Sequence, residues 1–196
     1  MFWFTADEHY GHRRIIRPDY ENRPFDTVEE MDEALITNHN SVVSKGDITV
    51  HAGDFTLWTN IEGIYKKYIH RLNGGHVFLK GSHDYWLQRK KSMQIWERNI
   101  KIDGQKYYFV VCHYNMRTWA RSHYNSIQLY AHSHGRLPPI GKQHDIGVDN
   151  NNFYPISANQ IINIMKDRPD NPNLIRDNFR NPSPREGVIR PETETG

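Results

Sequence analysis

Histidine and aspartate gather at five points of this chain, each just past a stretch that reads as a strand. The clusters are Asp7-Glu8-His9, Gly53-Asp54, Gly81-Ser82-His83-Asp84, Cys112-His113 and Ala131-His132-Ser133-His134. Mixed oxygen and imidazole ligands suit divalent transition metals, and two such metals side by side are a recurrent device for hydrolysing phosphate esters. In an extended segment residues i and i+2 point the same way, so Asp7 and His9 can reach one metal. His132 and His134 have the same spacing, although a loop there can send them to two different metals. Gly46-Asp47 precedes its strand and reads as a turn. Gly53-Asp54 follows the strand, where ligands collect in open α/β sheets, so Asp54 is the candidate. Any one histidine alone reads best as a hydrogen-bonded structural residue; the five clusters together point to metal.

Elements that would position these groups are legible around them. Met1 to Thr5 predicts a buried first strand. Thr27 with Glu30 three residues on is a capping-box pattern, and Met31, Leu35 and Val42 continue a helical stripe to about Val43. Ile48 to Ala52 reads as a strand. Asn60 caps a helix that carries Ile61, Ile64, Tyr68 and Leu72 and stops at Asn73-Gly74-Gly75. His76 to Lys80 is the next strand. A helix is predicted over 86–97, then a hairpin turning at Asp103-Gly104 with Lys106 to Cys112 as its second arm. Ile127 to Ala131 and Asp145 to Val148 read as strands, and a helix runs from Ser157 as N-cap to Lys166. Strands alternating with helices, then with strands, predict a layered α/β fold with a mixed sheet. The domain is read as residues 1–166, and the Pro-, Asn- and Arg-rich stretch 167–196 as an extended or disordered tail.

The chain has 196 residues, enough for one domain with a real core. Lys and Arg number 25 against 23 Asp and Glu, too even a balance to argue for nucleic-acid binding by charge alone. The single cysteine, Cys112, excludes an intramolecular disulfide and fits a reducing compartment. No signal-peptide pattern is visible and no stretch approaches a membrane span, so a soluble cytoplasmic protein is expected. Oligomeric state is open.

Taken in order, the clusters resemble the motifs of the calcineurin-like metallophosphoesterase family: Asp-x-His, Gly-Asp, Gly-Asn-His-Asp/Glu, a lone His, then Gly-His-x-His. The wording of Glu8-His9-Tyr10-Gly11-His12, of His113 to Trp119 and of Leu129 to Gly135 is similar to small bacterial and phage-encoded members. The resemblance runs from residue 7 to 134. It implies an α/β/β/α four-layer sandwich with mixed sheets and two divalent metals at its rim (Mn, Fe, Zn, Co or Ni). It places Asp7, His9 and His134 on the first metal, His113 and His132 on the second, and Asp54 between them. His83 is then the general acid or transition-state stabiliser beside the scissile phosphate, and a metal-activated hydroxide is the nucleophile. A phosphodiester, small or nucleotide, is the expected substrate; a phosphomonoester, or a ligand bound without turnover, is the alternative.

Three departures stand out, one of them Glu8 as the middle residue of the first motif, a small change. Ala131 replaces a glycine, and Ser82 stands where the family's Asn gives a carbonyl oxygen to the second metal. Ser82 is therefore expected to hold that metal weakly and to reduce turnover. His12, Arg13, Arg14 and Arg117 are candidates for phosphate contact. Trp58, Trp86, Trp119 and Tyr114 are candidates to stack a base, with burial in the core as their commoner fate. Asp145, Gly147 and Asp149 read as a structural turn.

Overall fold

A computed structural model describes residues 1–88 and 92–171. Its strands are β1 (Phe2–Thr5), β2 (Ile48–His51), β3 (Gly75–Phe78), β4 (Ile95–Ile102), β5 (Gln105–Cys112), β6 (Ile127–Tyr130), β7 (Gln143–Asp145) and β8 (Ile156–Ser157). Its helices are α1 (Val28–Val42), α2 (Ile61–Lys67) and α3 (Ala158–Met165). The strands form two four-stranded mixed sheets, in the orders β3-β2-β1-β8 and β4-β5-β6-β7. In the first, β1, β2 and β3 are parallel and β8 runs against β1. In the second, β5, β6 and β7 are parallel and β4 closes a hairpin on β5. The chain is thus a mixed α/β protein.

Phe4 and Val50 of the first sheet, with Leu79 just past β3, share one buried core with Trp96, Phe109, Val111 and Leu129 of the second. Phe4 stacks on Phe109 with ring centres 5.4 Å apart, and α3 adds Ala158, Ile161 and Met165 to the same core. A second core joins Met31, Leu35 and Ile36 of α1 to Ile64, Tyr68, Phe55 and Trp86. Beside the second sheet, the irregular segment 114–126 is fastened by Met116 and Tyr114, whose backbones bond the side chain of Gln128. The two sheets meet at one edge, where Ala6 bridges Gly147 in parallel and Val148 N–H donates to the Ala6 carbonyl. All six parallel strands therefore deliver their following loops to one rim.

Most predicted elements lie where the pattern puts them, with three corrections. The described residues of the helix expected over 86–97 form no helix. Residues 85–87 make a turn, 89–91 lie outside the described residues, and Ile95–Ile102 is strand β4. Trp96 and Ile100 point inward among exposed neighbours, and pairing with the aromatic-rich β5 outweighs the local helical spacing. The strand read at 145–148 sits earlier, at β7, and Val148–Asn150 is a short 3-10 turn. At α1, Thr27 does accept from Glu30 N–H, but the Glu30 carboxylate accepts from Asp26 N–H rather than returning to Thr27. Of the stretch read as a tail, Asp167 to Asn171 are described. Asn171 is buried, with its side chain donating to the Arg117 carbonyl; residues 172–196 lie outside the described part.

Candidate metal centre

Each candidate ligand occupies the first few residues beyond a parallel strand, where the backbone must leave the sheet. Asp7, His9, Asp54, His132 and His134 all have positive φ, between 46° and 70°. That region is sparsely populated by side-chain-bearing residues, though Asp, Asn and His tolerate it best. Five of the eleven non-glycine residues with positive φ among the described residues meet at this one rim. Asp7 and His9 do converge, but through these left-handed turns, not through the extended geometry expected of them.

Two glycines let the loops cross. A Cβ on Gly81 would lie 2.2 Å from Asp54 Oδ1 and 2.4 Å from its backbone nitrogen, and one on Gly53 would lie 2.6 Å from Gly81 Cα. Buried Asp84 ties the same loops together. Its carboxylate accepts from the backbone N–H of Asp54, Phe55 and Gly81 and from Trp86 Nε1.

The candidate ligands fall into two groups, Asp7 with His9 and His134, and Asp54 with His113 and His132. Within each group one ligand atom per residue lies within 4.8 Å of the others. His113 Nε2 is 3.2 Å from His132 Nδ1 and 3.4 Å from Asp54 Oδ2. The same Asp54 oxygen is 3.9 Å from His9 Nε2 of the first group, so one carboxylate touches both. His132 N–H donates to Asp7 Oδ2. Asp7 Oδ1 and His9 Nε2 are buried with no hydrogen-bond partner, an arrangement that is costly for polar atoms unless a ligand answers them. These donors fit divalent cations.

The other ring nitrogens are already engaged, which fixes the imidazoles. His113 Nδ1 faces the Ala52 carbonyl at 3.0 Å, His9 Nδ1 faces His12 Nδ1 at 3.2 Å, and His134 Nδ1 is 2.7 Å from Asp149 Oδ2. A carboxylate behind a ligating histidine orients the ring and raises its basicity. Asp149 is itself gripped by Arg23, whose Nε and Nη2 each reach a carboxylate oxygen at 2.8 Å. Arg23 also donates to the carbonyls of Asp7 and Glu8. Burial pushes the Asp7 carboxyl up to about 7. Burial would raise Asp54 too, but the His113 imidazole and the His83 N–H outweigh it and hold that carboxylate well below its usual range.

No family model matches the chain. An uncharacterized protein of Methanocaldococcus jannaschii is 28% identical over 171 residues, covering 84% of this chain and 90% of its own length. The crystal structure of a protein of unknown function from Aquifex aeolicus superposes with a TM-score of 0.59 at 21% identity, over 84% of this chain and 98% of that one. The chain shares the fold of that structure.

Around the two groups the remaining candidates take different places. Ser82 Oγ donates to Asp54 Oδ2 at 2.9 Å, and His83 N–H donates to Asp54 Oδ1. The His83 ring stands 5.4 Å from that of His9, half-buried at the rim. His12 lies behind His9, while exposed Arg14 sits over the Tyr20 ring. Arg13 faces Glu29, and exposed Arg117 is held through its carbonyl by Asn171. Trp86 and Trp119 are buried, and Trp58 packs on Tyr68; Tyr114 alone of the four aromatics is exposed.

Asp145 is the turn expected of it, accepting from Ser133, Gly135 and Gly147. Asp149 is not: it orients His134. Sequence reasoning missed it and Arg23. A carboxylate shortly after the histidine motif was a usable signal for Asp149, whereas nothing around Asn22-Arg23-Pro24 announces a buried guanidinium.

Proposed function

We propose that this chain is a dinuclear-metal phosphoesterase of the calcineurin-like type, acting on a phosphodiester. The observation that carries the reading is Asp54 Oδ2, which lies within 4 Å of an imidazole nitrogen of each ligand group. The α/β/β/α sandwich belongs to the same reading, with α1 and α2 as one outer layer. Two divalent cations in these groups would neutralise phosphate charge and acidify an attacking water.

The chain's own residues do the rest. Asp54 is held in place by Ser82 Oγ and the His83 N–H, and Arg23 with Asp149 fixes the His134 ring. Half-buried His83 stands at the rim beside His9, placed to present its imidazole to the leaving oxygen as general acid. The loops after β1, β2, β5 and β6 keep Asp7, His9, Asp54 and His113 almost free of water.

A manganese-supplemented assay tests this. Release of p-nitrophenol from bis-p-nitrophenyl phosphate, lost in His83→Ala and with chelator, is expected. Turnover of p-nitrophenyl phosphate alone would make the protein a phosphomonoesterase. Inactivity on both would favour binding without turnover.

A further inference from the structure

Next to the metal groups lies a cavity of about 650 Å³ lined by Lys80, Gly81, Ser82, Tyr85, Gln88 and Tyr114, among others. Its inner wall is the Gly81-Ser82 loop, whose hydroxyl bonds Asp54. At its mouth the Tyr114 ring is 4.9 Å from those of both His113 and His132. A phosphate held at the metal groups would therefore direct its ester substituent into this space. Two tyrosines are placed here by the same loops that carry the site: Tyr85 is two residues beyond His83 and Tyr114 one beyond His113. They are 66% and 47% exposed, against the buried fate of Trp86 and Trp119. Exposed rings of this size are candidates for stacking.

The polar chemistry narrows the occupant. Gln88 and Gln94 bring two amides to the lining, each able to donate and accept. The described lining has no acidic side chain, and Lys80 adds one positive charge, its Nζ held by the carbonyls of Asp84 and Leu87. A plain aryl group would use the rings and leave both exposed amides to water. A nucleobase uses both. The size suits a nucleoside, since small-molecule sites run to roughly 300–1,000 Å³.

We infer that this cavity is a nucleobase subsite, with Tyr85 and Tyr114 as stacking faces and Gln88 and Gln94 at the base edge, so that the substrate is a nucleotide ester. The inference rests on the phosphoesterase reading above, and binding measurements separate the two. Isothermal titration of the manganese-loaded full chain compares inorganic phosphate, ribose 5-phosphate, phenyl phosphate and adenosine 5′-monophosphate. The nucleotide is expected to bind about tenfold or more tightly than ribose 5-phosphate, the scale of one base on an aromatic face. Tyr114→Leu and Tyr85→Leu should each shrink that preference. Equal affinity for the nucleotide and ribose 5-phosphate would overturn the subsite while leaving phosphate binding intact. Phenyl phosphate matching the nucleotide would overturn the base assignment. Binding of none of the four would overturn the phosphate reading, and the subsite with it.

Discussion

Ser82 Oγ donates to Asp54 Oδ2 at 2.9 Å, so the residue that departs from the metallophosphoesterase motifs the sequence resembles acts on the Asp54 carboxylate itself. An Asn there would extend a carbonyl oxygen past it toward the second group. Ser82→Asn is expected to raise manganese occupancy at that group and diester turnover by about tenfold, the scale of one contact around a metal ligand. Equal rates and equal occupancy in the two proteins would end that explanation. Asp149 acts from behind His134, and Asp149→Asn should weaken manganese binding by about 10- to 100-fold, read by calorimetry. Affinity as in the parent would make Asp149 merely structural. The two candidate ligand groups were legible because type, order and spacing all carry signal. Arg23 was not, because its five hydrogen bonds join residues that are near only in the fold.

Loops following parallel strands set the geometry at the next scale, and two crossing glycines allow it. Gly81→Ala would drive a methyl into the backbone and carboxylate of Asp54. It is expected to destabilise the fold by about 1–3 kcal/mol on the scale of overpacking, read as a lower urea midpoint, and to reduce metal binding as Asp54 moves. An unchanged midpoint with unchanged metal affinity would show that the loops do not meet so closely. Elements with strong local signals matched their prediction. Asp103 and Gly104 both take positive φ, as the hairpin turn demands, and Ser157 forms a full capping box on α3. The stretch 86–97 failed because Trp96 and Ile100 answer to β5 and the core between the sheets, a non-local preference that helical spacing cannot reveal. The two-residue β8 was missed for a similar reason: it exists by pairing with β1.

Across the whole molecule, a second set of histidines, outside the two candidate metal groups, joins β2 and β3 to α1, His51 reaching Glu8 between Asp7 and His9. His39 and His51 are buried and pushed down to about 3, and His76 to about 4, each mainly by burial. The unfolded chain takes protons on them near 6.5, so it binds more protons than the folded state between about pH 6.5 and 3. Their contribution to stability is complete above that window and is lost as pH falls through it. Glu8, raised to about 8 by burial against His51, works the other way and offsets part of the loss. The urea midpoint is expected to drop from pH 7 to pH 5, and to drop less in His39→Asn; a variant as acid-sensitive as the parent would contradict this. The central claim is the pairing of the two ligand groups through Asp54, and the most direct test counts metal. Elemental analysis of protein equilibrated at saturating manganese, where the weaker second group also fills, should find two ions per chain, with His134→Ala and His132→Ala each retaining one. One ion or none in the parent, or two in both variants, would contradict the account.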